Sequence, residues 1–397
     1  MESQFPKDFF WGAATSAHQV EGNNRNDWSE WEKSPKRIAD LKRRGLNPDD
    51  FISGRACDHY HRFREDFDIA KKLCHNAHRF SIEWSRIEPE EGKFDEREIE
   101  HYRQVIRALR ERGIEPFVTL WHWPFPLWLS AKGRFERKKN MIYFERYCRT
   151  VGNAYKNDVT YWMTLNEPEV YAANSYIKGK WPPQYKNVFL GWRVYKNLIQ
   201  AHRVAYDALR AINPNFQISI AKHNVYFEAY GYKAVNRVLK WGSDKVWNFY
   251  FLDKTRDKLD FIGLNHYFHN RINYGFNKNE NERTSDIGWE LYQESLYHSL
   301  IELKTYQKPV IICENGLADA QDTRRADFIR SSVQQMARAV SEGLDVRGYF
   351  YWSLLDNFEW DSGFGPRFGL VEVDYPTLGR KIRKSAWEYK RLIEQGL

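Results

Sequence analysis

Short apolar runs alternate with longer amphipathic segments from one end of the chain to the other, and this alternation constrains the fold most. Runs rich in β-branched and aromatic residues predict eight strands, at residues 9–14, 77–82, 116–120, 161–165, 218–221, 261–264, 310–313 and 348–352. Segments with a helical repeat follow them, at residues 63–73, 96–112, 140–155, 188–212, 230–250, 290–306, 322–342 and 385–394. Eight strand-then-helix units predict an α/β fold, the (β/α)8 TIM barrel, with a doubly wound open sheet as the alternative.

The chain shows no sign of a division into domains. It contains no low-complexity linker, so residues 1–397 are expected to form a single domain. No Gly-x-Gly-x-x-Gly motif follows the first predicted strand, which argues against a dinucleotide-binding open sheet. Residues 28–59 have no clear repeat, and they are expected to form a long loop over the active face of the barrel.

Composition weighs against some classes of function. The 61 Lys and Arg residues exceed the 53 Asp and Glu residues, which gives a net charge of +8. The two signs are mixed along the whole chain, so nucleic acid is not expected as a partner. Aromatic residues make up 16% of the chain, including 16 Trp, and such rings stack on sugars as well as filling cores. The aromatic excess therefore permits a carbohydrate site without proving one.

No cysteine or histidine pattern indicates a metal site or a disulfide framework. The chain has four cysteines without a Cys-x-x-Cys pair, expected to be buried free thiols: Cys57, Cys74, Cys148 and Cys313. Four histidines cluster without metal-ligand spacing: His59, His61, His75 and His78. Residues 1–8 lack a signal-peptide pattern and no apolar run is long enough to span a bilayer. A cytoplasmic protein that contacts no membrane is expected.

Two carboxylates stand at the ends of predicted strands. Glu314 follows the apolar run 310–313, and Glu167 follows the run 161–165 just before Pro168. Each has a simple structural explanation as part of an ordinary turn. In a closed barrel, however, the carboxyl ends of strands four and seven lie at the same rim, which brings both carboxylates to one substrate atom. Two facing carboxylates are what cleavage of a glycosidic bond requires, about 5–5.5 Å apart when the configuration is retained.

The motifs around these carboxylates carry a family resemblance. Thr164-Leu-Asn-Glu-Pro168 and Glu314-Asn-Gly316 resemble the two active-site motifs of glycoside hydrolase family 1, the retaining β-glucosidases and their relatives. The opening stretch, residues 10–22, and the closing stretch, residues 348–360 followed by Arg367-Phe-Gly-Leu370, are also similar to that family. The resemblance covers residues 9–389, with the motifs in the family order.

The resemblance implies a role for each matching residue. Glu314 would be the nucleophile, and Glu167 the general acid and then the general base. Asn166 would hold the sugar 2-hydroxyl, while Arg79 and Tyr267 would hydrogen-bond the nucleophile. The positions that match contacts to the bound sugar are Gln19, His122, Glu359 and Trp360, with Trp352 as the platform beneath the ring.

The proposed roles of Arg79 and Tyr267 also have a physical basis. A nucleophilic Glu314 must stay ionised beside a second carboxyl group, and a cation and a phenol donor favour its charged form. The charge on Glu314 should in turn raise the pKa of Glu167, so that Glu167 stays protonated. Structural alternatives remain for some of these residues. Arg79 could form a salt bridge inside the barrel, Trp352 could fill the core, and His122 could be a buried histidine without a ligand.

The chain departs from the family pattern in several places. Pro124-Phe-Pro126 and Gly133-Arg-Phe135 replace the usual sequences after strand three, and Cys313 replaces the common Thr before the nucleophile. Only about forty residues separate predicted strands five and six. A shortened outer layer would leave aromatic residues less covered, and these are Trp241, Trp247, Phe249, Tyr250 and Phe251. A mobile flank or a pocket for a flat apolar ligand is a hypothesis for residues 241–251.

The sequence therefore predicts hydrolysis of β-D-glucosides, with some activity on β-galactosides or β-fucosides, by double displacement through a covalent glycosyl-enzyme. No metal or cofactor is required, because side chains supply acid, base and nucleophile. Glu359 would repel a phosphate, which favours neutral sugars over phosphorylated ones. The alternative is a weakly catalytic carbohydrate-binding or ligand-regulated barrel protein. Neither the leaving group that is preferred nor the oligomeric state follows from the sequence.

Overall fold

The computed structural model describes residues 5–396, and its centre is a closed barrel of eight strands. The strands are β1 Phe10–Ala14, β2 Ala77–Ser81, β3 Glu115–Trp121, β4 Tyr161–Asn166, β5 Gln217–Ala229, β6 Ile262–Ile272, β7 Val310–Asn315 and β8 Val346–Trp352. Each strand pairs in parallel with the next, and β1 closes the barrel on β8. The predicted barrel is confirmed, and the open sheet is excluded because it would leave β1 and β8 unpaired.

Helices connect the strands on the outside of the barrel. The helices are α1 Ala17–Val20, α2 Asp27–Glu32, α3 Pro35–Arg43, α4 His59–Lys72, α5 Trp84–Ile87, α6 Glu96–Glu111, α7 Leu127–Ala131, α8 Met141–Tyr155, α9 Pro168–Ala172, α10 Val188–Ile212, α11 Ala234–Ser243, α12 Tyr250–Thr255, α13 Glu294–Leu303, α14 Arg325–Ser341 and α15 Lys384–Gln395. A π-helical segment, Asp244–Phe249, joins α11 to α12. An antiparallel hairpin of β9 Val371–Asp374 and β10 Gly379–Ile382 lies outside the barrel. None of the helices in the described part of the chain has the length and apolar character needed to cross a membrane.

The prediction of a long loop over residues 28–59 is wrong. This stretch contains most of α2, all of α3 and a 3-10 helix at Pro48–Phe51. Asn26 caps α2 by accepting hydrogen bonds from the backbone N–H groups of Trp28 and Ser29. Ser34 caps α3 just before a proline at its first position. These capping signals are readable in the sequence, but the helices are too short to show a clear apolar repeat.

Strands β5 and β6 are much longer than predicted. Their pairing continues past the barrel rim, from Ala221 opposite Gly263 to Ala229 opposite Ile272. The extension has a small apolar core of its own, formed by Val225, Phe227 and Ile272. Trp247 and Phe268 pack against this core. The short β5–β6 connection is therefore supported by the extended strands themselves, which the polar residues within them concealed from a search for apolar runs.

Helix α11 turns apolar side chains outward, which is unusual for a helix on a protein surface. Val235, Val238 and Trp241 are 45%, 64% and 65% exposed, whereas Asn236 is fully buried. The buried Asn236 donates to the carbonyl oxygen of Tyr230 at 2.8 Å. Of the other aromatic residues in 241–251, Phe251 is buried, and Trp247, Phe249 and Tyr250 are half-buried. The aromatic side chains of this segment are thus partly covered, and Trp241 is the most exposed of them.

Aromatic side chains fill the barrel on the side where the strands begin. Phe117 stacks on Tyr161 with ring centroids 4.2 Å apart, and it meets Phe10 and Phe350 at 5.1 and 4.9 Å. These rings form a packed core rather than a pore. Among the described residues, these rings close the barrel on this side, so the rim at which the strands end is where a ligand is expected to bind.

Candidate active site

Glu167 and Glu314 both lie at that rim and both are buried, with 5% and 4% of their surface exposed. Glu314 is the second-last residue of β7, and Glu167 directly follows β4. The backbone of Glu167 has a φ of 42°, in the left-handed region, and its N–H donates to the carbonyl oxygen of Ala221 at 2.8 Å. Pro168 then starts α9, so the chain turns sharply just after the carboxylate.

Three side chains from different strands link the two carboxylates. Arg79 on β2 donates from Nη1 to Oε1 of Glu314 at 2.5 Å and from Nη2 to Oδ1 of Asn166 at 2.7 Å. Asn265 on β6 donates from Nδ2 to Oε1 of Glu167 at 2.8 Å and to Oδ1 of Asn166 at 3.2 Å. The structure thus brings together Glu167, Glu314, Arg79 and Asn166, which the sequence resemblance placed in one site.

Tyr267 completes the surroundings of Glu314. Its hydroxyl donates to Oε2 of Glu314 at 2.8 Å, while Arg79 occupies the other oxygen. Burial and the charge of Glu314 raise the pKa of Tyr267 well above its usual value. The phenol therefore stays protonated and remains a hydrogen-bond donor to the carboxylate.

Burial raises the pKa of both carboxyl groups, but their surroundings differ. Burial and then the charge of Glu314 raise the pKa of Glu167 well above its usual range. Burial also raises the pKa of Glu314, although Arg79 and the Tyr267 hydroxyl act in the opposite direction, as expected from the sequence. A proton shared between the two groups therefore resides on Glu167, and Glu314 is the carboxylate that ionises first.

A group of stacked rings forms one wall of the site. The His122 ring stacks against Trp352 with centroids 6.2 Å apart and against Trp360 at 5.9 Å. Nδ2 of Asn166 lies 3.0 Å from Nε2 of His122, so that this nitrogen accepts the hydrogen bond. Burial and the nearby Arg79 hold the pKa of His122 well below its usual value, which keeps the imidazole neutral. The Nδ1 atom of His122 is buried, and it has no hydrogen-bond partner among residues 5–396.

Gln19 and Glu359 lie together beside this wall. Gln19 Nε2 donates to the carbonyl oxygen of Phe358 at 2.9 Å and to Oε2 of Glu359 at 3.3 Å. Burial and then the charge of Glu314 raise the pKa of Glu359 to about 8. Glu359 is therefore largely neutral at pH 7 in the free protein, so its repulsion of a phosphate is weaker than expected from the sequence.

Sequence reasoning missed two residues that contribute to the site. Asn265 holds Glu167 in place, and His18 stacks on Trp360 with centroids 5.5 Å apart and lies 2.8 Å from Glu32. Asn265 was detectable, because it lies two residues before Tyr267 and alternation puts both on the same face of a strand. His18 lies within the opening motif, but nothing in the sequence indicates its ring contact.

A close backbone approach explains the glycine after Glu314-Asn315. A Cβ atom on Gly316 would lie 1.9 Å from the carbonyl oxygen of Trp352, which no side chain could tolerate. The end of β7 is thus packed directly against the end of β8. Any larger residue at 316 would displace either Glu314 or the Trp352 platform.

The cysteines and histidines outside the site form no constellation with other chemistry. Within residues 5–396, no group of three or more His, Cys, Asp or Glu side chains is arranged to hold a metal ion. Cys57, Cys148 and Cys313 are free and buried as expected, but Cys74 is only half-buried. His59 instead lies 2.7 Å from Asp66, and His61 lies 2.7 Å from Asp58.

Comparison with known proteins agrees with this geometry. The family model described as glycosyl hydrolase family 1 matches residues 1–255 and 252–396. The chain belongs to glycosyl hydrolase family 1. The similarity that the motifs suggested is therefore confirmed over almost the entire length of the chain.

Relatives within this family align with nearly all of the chain. Beta-glucosidase A of Acetivibrio thermocellus is 33% identical over 448 aligned positions, which cover 98% of this chain and 98% of the relative. The alignment is longer than the 397 residues of this chain, so the relative has insertions that this chain lacks.

Solved structures of the family superpose closely on the fold. A beta-glycosidase from Pyrococcus horikoshii has a TM-score of 0.91 and 38% identity, with 100% of this chain and 96% of the other covered. A beta-glucosidase from Thermotoga maritima in complex with glucoimidazole has a TM-score of 0.92 and 30% identity, with 100% and 99% covered.

Proposed function

We propose that this family 1 glycosyl hydrolase cleaves β-D-glucosides, with some β-galactoside or β-fucoside activity, and retains the configuration of the anomeric carbon. The observation that carries the proposal is the pair of buried carboxyl groups with unlike surroundings. Glu314 is bonded to a cation and a phenol, whereas the Glu167 side chain, among residues 5–396, is bonded only to the neutral amide of Asn265. One group is suited to act as the nucleophile, and the other is suited to carry the proton.

In the first step, an oxygen of Glu314 attacks the anomeric carbon and forms a covalent glycosyl-enzyme. The bond between the anomeric carbon and the leaving oxygen breaks, and that oxygen takes the proton from Glu167. Arg79 and Tyr267 hold the two oxygens of Glu314, so the nucleophile needs little reorganisation to attack. The negative charge of Glu314 is consumed in the new bond.

In the second step, Glu167 is ionised and takes a proton from water, whose oxygen attacks the anomeric carbon. The bond to Glu314 breaks, and Glu314 leaves as a carboxylate that Arg79 and Tyr267 stabilise. The two inversions give net retention. Asn166, which Arg79 and Asn265 orient, is suited to hold the sugar 2-hydroxyl in both transition states.

The ring wall and the polar pair beside it are suited to bind the sugar. Trp352 supplies an aromatic platform, and the His122 ring stacks against it while Asn166 holds its Nε2. Gln19, Glu359 and Trp360 supply the remaining contacts that the family resemblance implies. A neutral Glu359 donates to a hydroxyl as well as accepting from one. Discrimination against phosphorylated sugars by charge should therefore strengthen above pH 8, where Glu359 ionises.

No metal or cofactor has a part in this mechanism, because the side chains supply the acid, the base and the nucleophile. Cytoplasmic location and the absence of a nucleic acid partner stay predictions from the sequence.

The flat apolar ligand near residues 241–251 also stays a prediction, for which exposed Trp241 is the anchor. Saturable binding of a flat apolar dye that is lost in Trp241→Ser would support it.

Steady-state hydrolysis of an aryl β-glucoside tests the proposed function. The wild type should release the phenol, and Glu314→Gln should lose this activity while keeping the circular dichroism spectrum of the folded wild type. Proton NMR of the first-formed sugar should show the β-anomer, and the α-anomer would contradict the mechanism. Sugar binding without turnover by the wild type would favour the carbohydrate-binding alternative instead.

A further inference from the structure

The strand end that carries Glu167 is attached to β5 on both sides of Pro168. Before the proline, the N–H of Glu167 donates to the carbonyl oxygen of Ala221 at 2.8 Å. After it, Oε1 of Glu169 accepts from the N–H of His223 at 2.7 Å and lies 3.0 Å from Nζ of Lys222. The turn at Glu167 is thus attached to three consecutive residues of the neighbouring strand.

Glu169 and Lys222 form a deeply buried ion pair. Their side chains are 3% and 0% exposed. Removing two charges from water is unfavourable, so such a pair is poor evidence of a contribution to stability. The pair is also more elaborate than a structural link requires, since Lys222 Nζ donates to the carbonyl oxygens of His223 and Trp247, each at 2.7 Å.

The contact with Trp247 connects the pair to the short segment between β5 and β6. Trp247 accepts from Lys222 through its backbone, and its indole N–H donates to Nδ1 of His223 at 3.3 Å. The half-buried Trp247 therefore has a structural partner in β5 just behind the active site. This segment is therefore connected to the surroundings of Glu167 through Lys222.

The electrostatic relation between the pair and Glu167 is mutual. After burial and Glu314, the charge of Glu169 also raises the pKa of Glu167. Burial lowers the pKa of Lys222, whereas Glu169 and then Glu167 raise it. A lone charge on either side chain would therefore change the protonation of Glu167, whereas an anion and a cation 3.0 Å apart act on it in opposite directions.

We propose that Glu169 and Lys222 are positioning residues for Glu167: they hold its turn against β5 and balance each other's charge behind it. The inference rests on the proposed role of Glu167 as the acid and base. Both side chains act through Glu167 rather than on the substrate. Other charged or titratable groups also face Glu167, Glu169 and Lys222. They are Arg79 on β2, His223 on β5, Tyr267 on β6, Glu314 on β7 and Tyr195 on α10.

The pH profile of kcat/KM separates charge balance from simple packing. Its alkaline limb reports loss of the proton from Glu167 in the free enzyme. Glu169→Gln leaves the Lys222 cation unbalanced, which favours the Glu167 carboxylate, so the limb should move to lower pH by about 0.5–1 unit. The double variant Glu169→Gln/Lys222→Met removes both charges, and its limb should return to within about 0.3 unit of the wild type.

The dependence on the leaving group tests positioning. Substrates with a poor leaving group need the proton of Glu167, whereas a dinitrophenyl glycoside does not. In the double variant, kcat/KM, which reports the first step, should fall about 10-fold or more for a phenyl β-glucoside. For the dinitrophenyl glycoside it should fall less than about 3-fold. Equal losses for both substrates would overturn the positioning role.

Lys240→Met is the matched control. Lys240 also forms a partly buried pair, 2.6 Å from Asp244, but it lies on α11 away from Glu167. This variant should leave both the limb and the leaving-group ratio unchanged. The proposal would be overturned if the alkaline limb of kcat/KM did not move in Glu169→Gln, or if it moved equally in Glu169→Gln and in the double variant. Either result would leave the hydrolytic function intact. A wild type without hydrolytic activity would overturn both.

Discussion

Arg79 and Glu314 form a buried ion pair, with Nη1 of the guanidinium 2.5 Å from Oε1 of the carboxylate and 1% and 5% of the two side chains exposed. The same guanidinium donates to Asn166 at 2.7 Å and, through Nε, to Thr119 at 3.0 Å. One planar group therefore orients the residue before Glu167 and holds an oxygen of Glu314. The relative position of the two carboxylates depends on this cation, which leads to the first prediction.

Arg79→Met should lower kcat by about 1,000-fold or more, because Glu314 loses its cation and becomes protonated in a buried site. Steady-state kinetics with an aryl β-glucoside measures the loss. Arg325→Met is the matched control, since Arg325 is as deeply buried but bonds Asp322 and Asp319 outside the site. Both variants should be destabilised, but only the first should lose activity. A similar loss of kcat in both would contradict the role of Arg79.

Tyr267→Phe should lower kcat by about 10–100-fold, because one oxygen of Glu314 loses the hydrogen bond that stabilises it as a leaving carboxylate. The rate constant of the second step should change by a larger factor than KM does. Tyr206→Phe is the control. The hydroxyl of Tyr206 donates to Asp260 at 3.1 Å, and this hydrogen bond lies outside the site. Unchanged kcat in Tyr267→Phe would show that Arg79 alone is sufficient.

Glu167→Ala should retain the first step for a dinitrophenyl glycoside, because its leaving group needs no proton. For substrates with poor leaving groups, kcat/KM should fall by about 1,000-fold or more. Azide does not need a base to attack, so it should restore turnover and give a β-glycosyl azide. Mass spectrometry and NMR identify the product. An α-glycosyl azide, or no rescue by azide, would contradict the assignment of Glu167 as the acid and base.

The pKa of Glu167 should fall when Glu314 becomes a glycosyl ester. The charge of Glu314 raises that pKa in the free enzyme, so its removal lowers the pKa and lets Glu167 ionise as the base. Carbon NMR of labelled Glu167, before and after trapping with a 2-fluoro glycoside, measures the change. Glu314→Gln should show the same downward shift without a sugar. A pKa that stays constant would mean that burial alone controls it.

Glu359→Gln should stabilise the free enzyme at alkaline pH. The pKa of Glu359 is about 8 in the folded protein against the ordinary 4.5, so the folded state binds the extra proton and stability falls as pH rises between these values. Gln has no such dependence. The free energy of unfolding of the variant minus that of the wild type should therefore be on the order of 2–4 kcal/mol larger above pH 8 than at pH 4.5. Unfolding temperatures measured from pH 4.5 to 9 test this. Parallel curves for the two proteins would contradict it.

The barrel could be predicted from the sequence because each unit carries its own local pattern. Strands such as Val310–Asn315 are apolar runs, and α10 shows its repeat over the full span Val188–Ile212. The extensions of β5 and β6 could not be found in this way. Residues such as Lys222 and His223 interrupt the apolar pattern, and their strand pairing depends on a partner strand about forty residues away. The same long-range dependence concealed the Glu169–Lys222 pair.

The sequence by itself determined the eight-unit barrel and the residue types at the ends of β4 and β7, since both follow from local patterns and short motifs. It also supplied Arg79 and Tyr267 as partners of Glu314 through the family resemblance. Only the tertiary structure decided which groups surround each carboxyl group: Asn265 on Glu167, the stacked rings beside His122, and the ion pair behind the acid. These contacts join residues that are distant in the chain, and burial at a shared rim, rather than any local signal, gives the carboxyl groups their different chemistry.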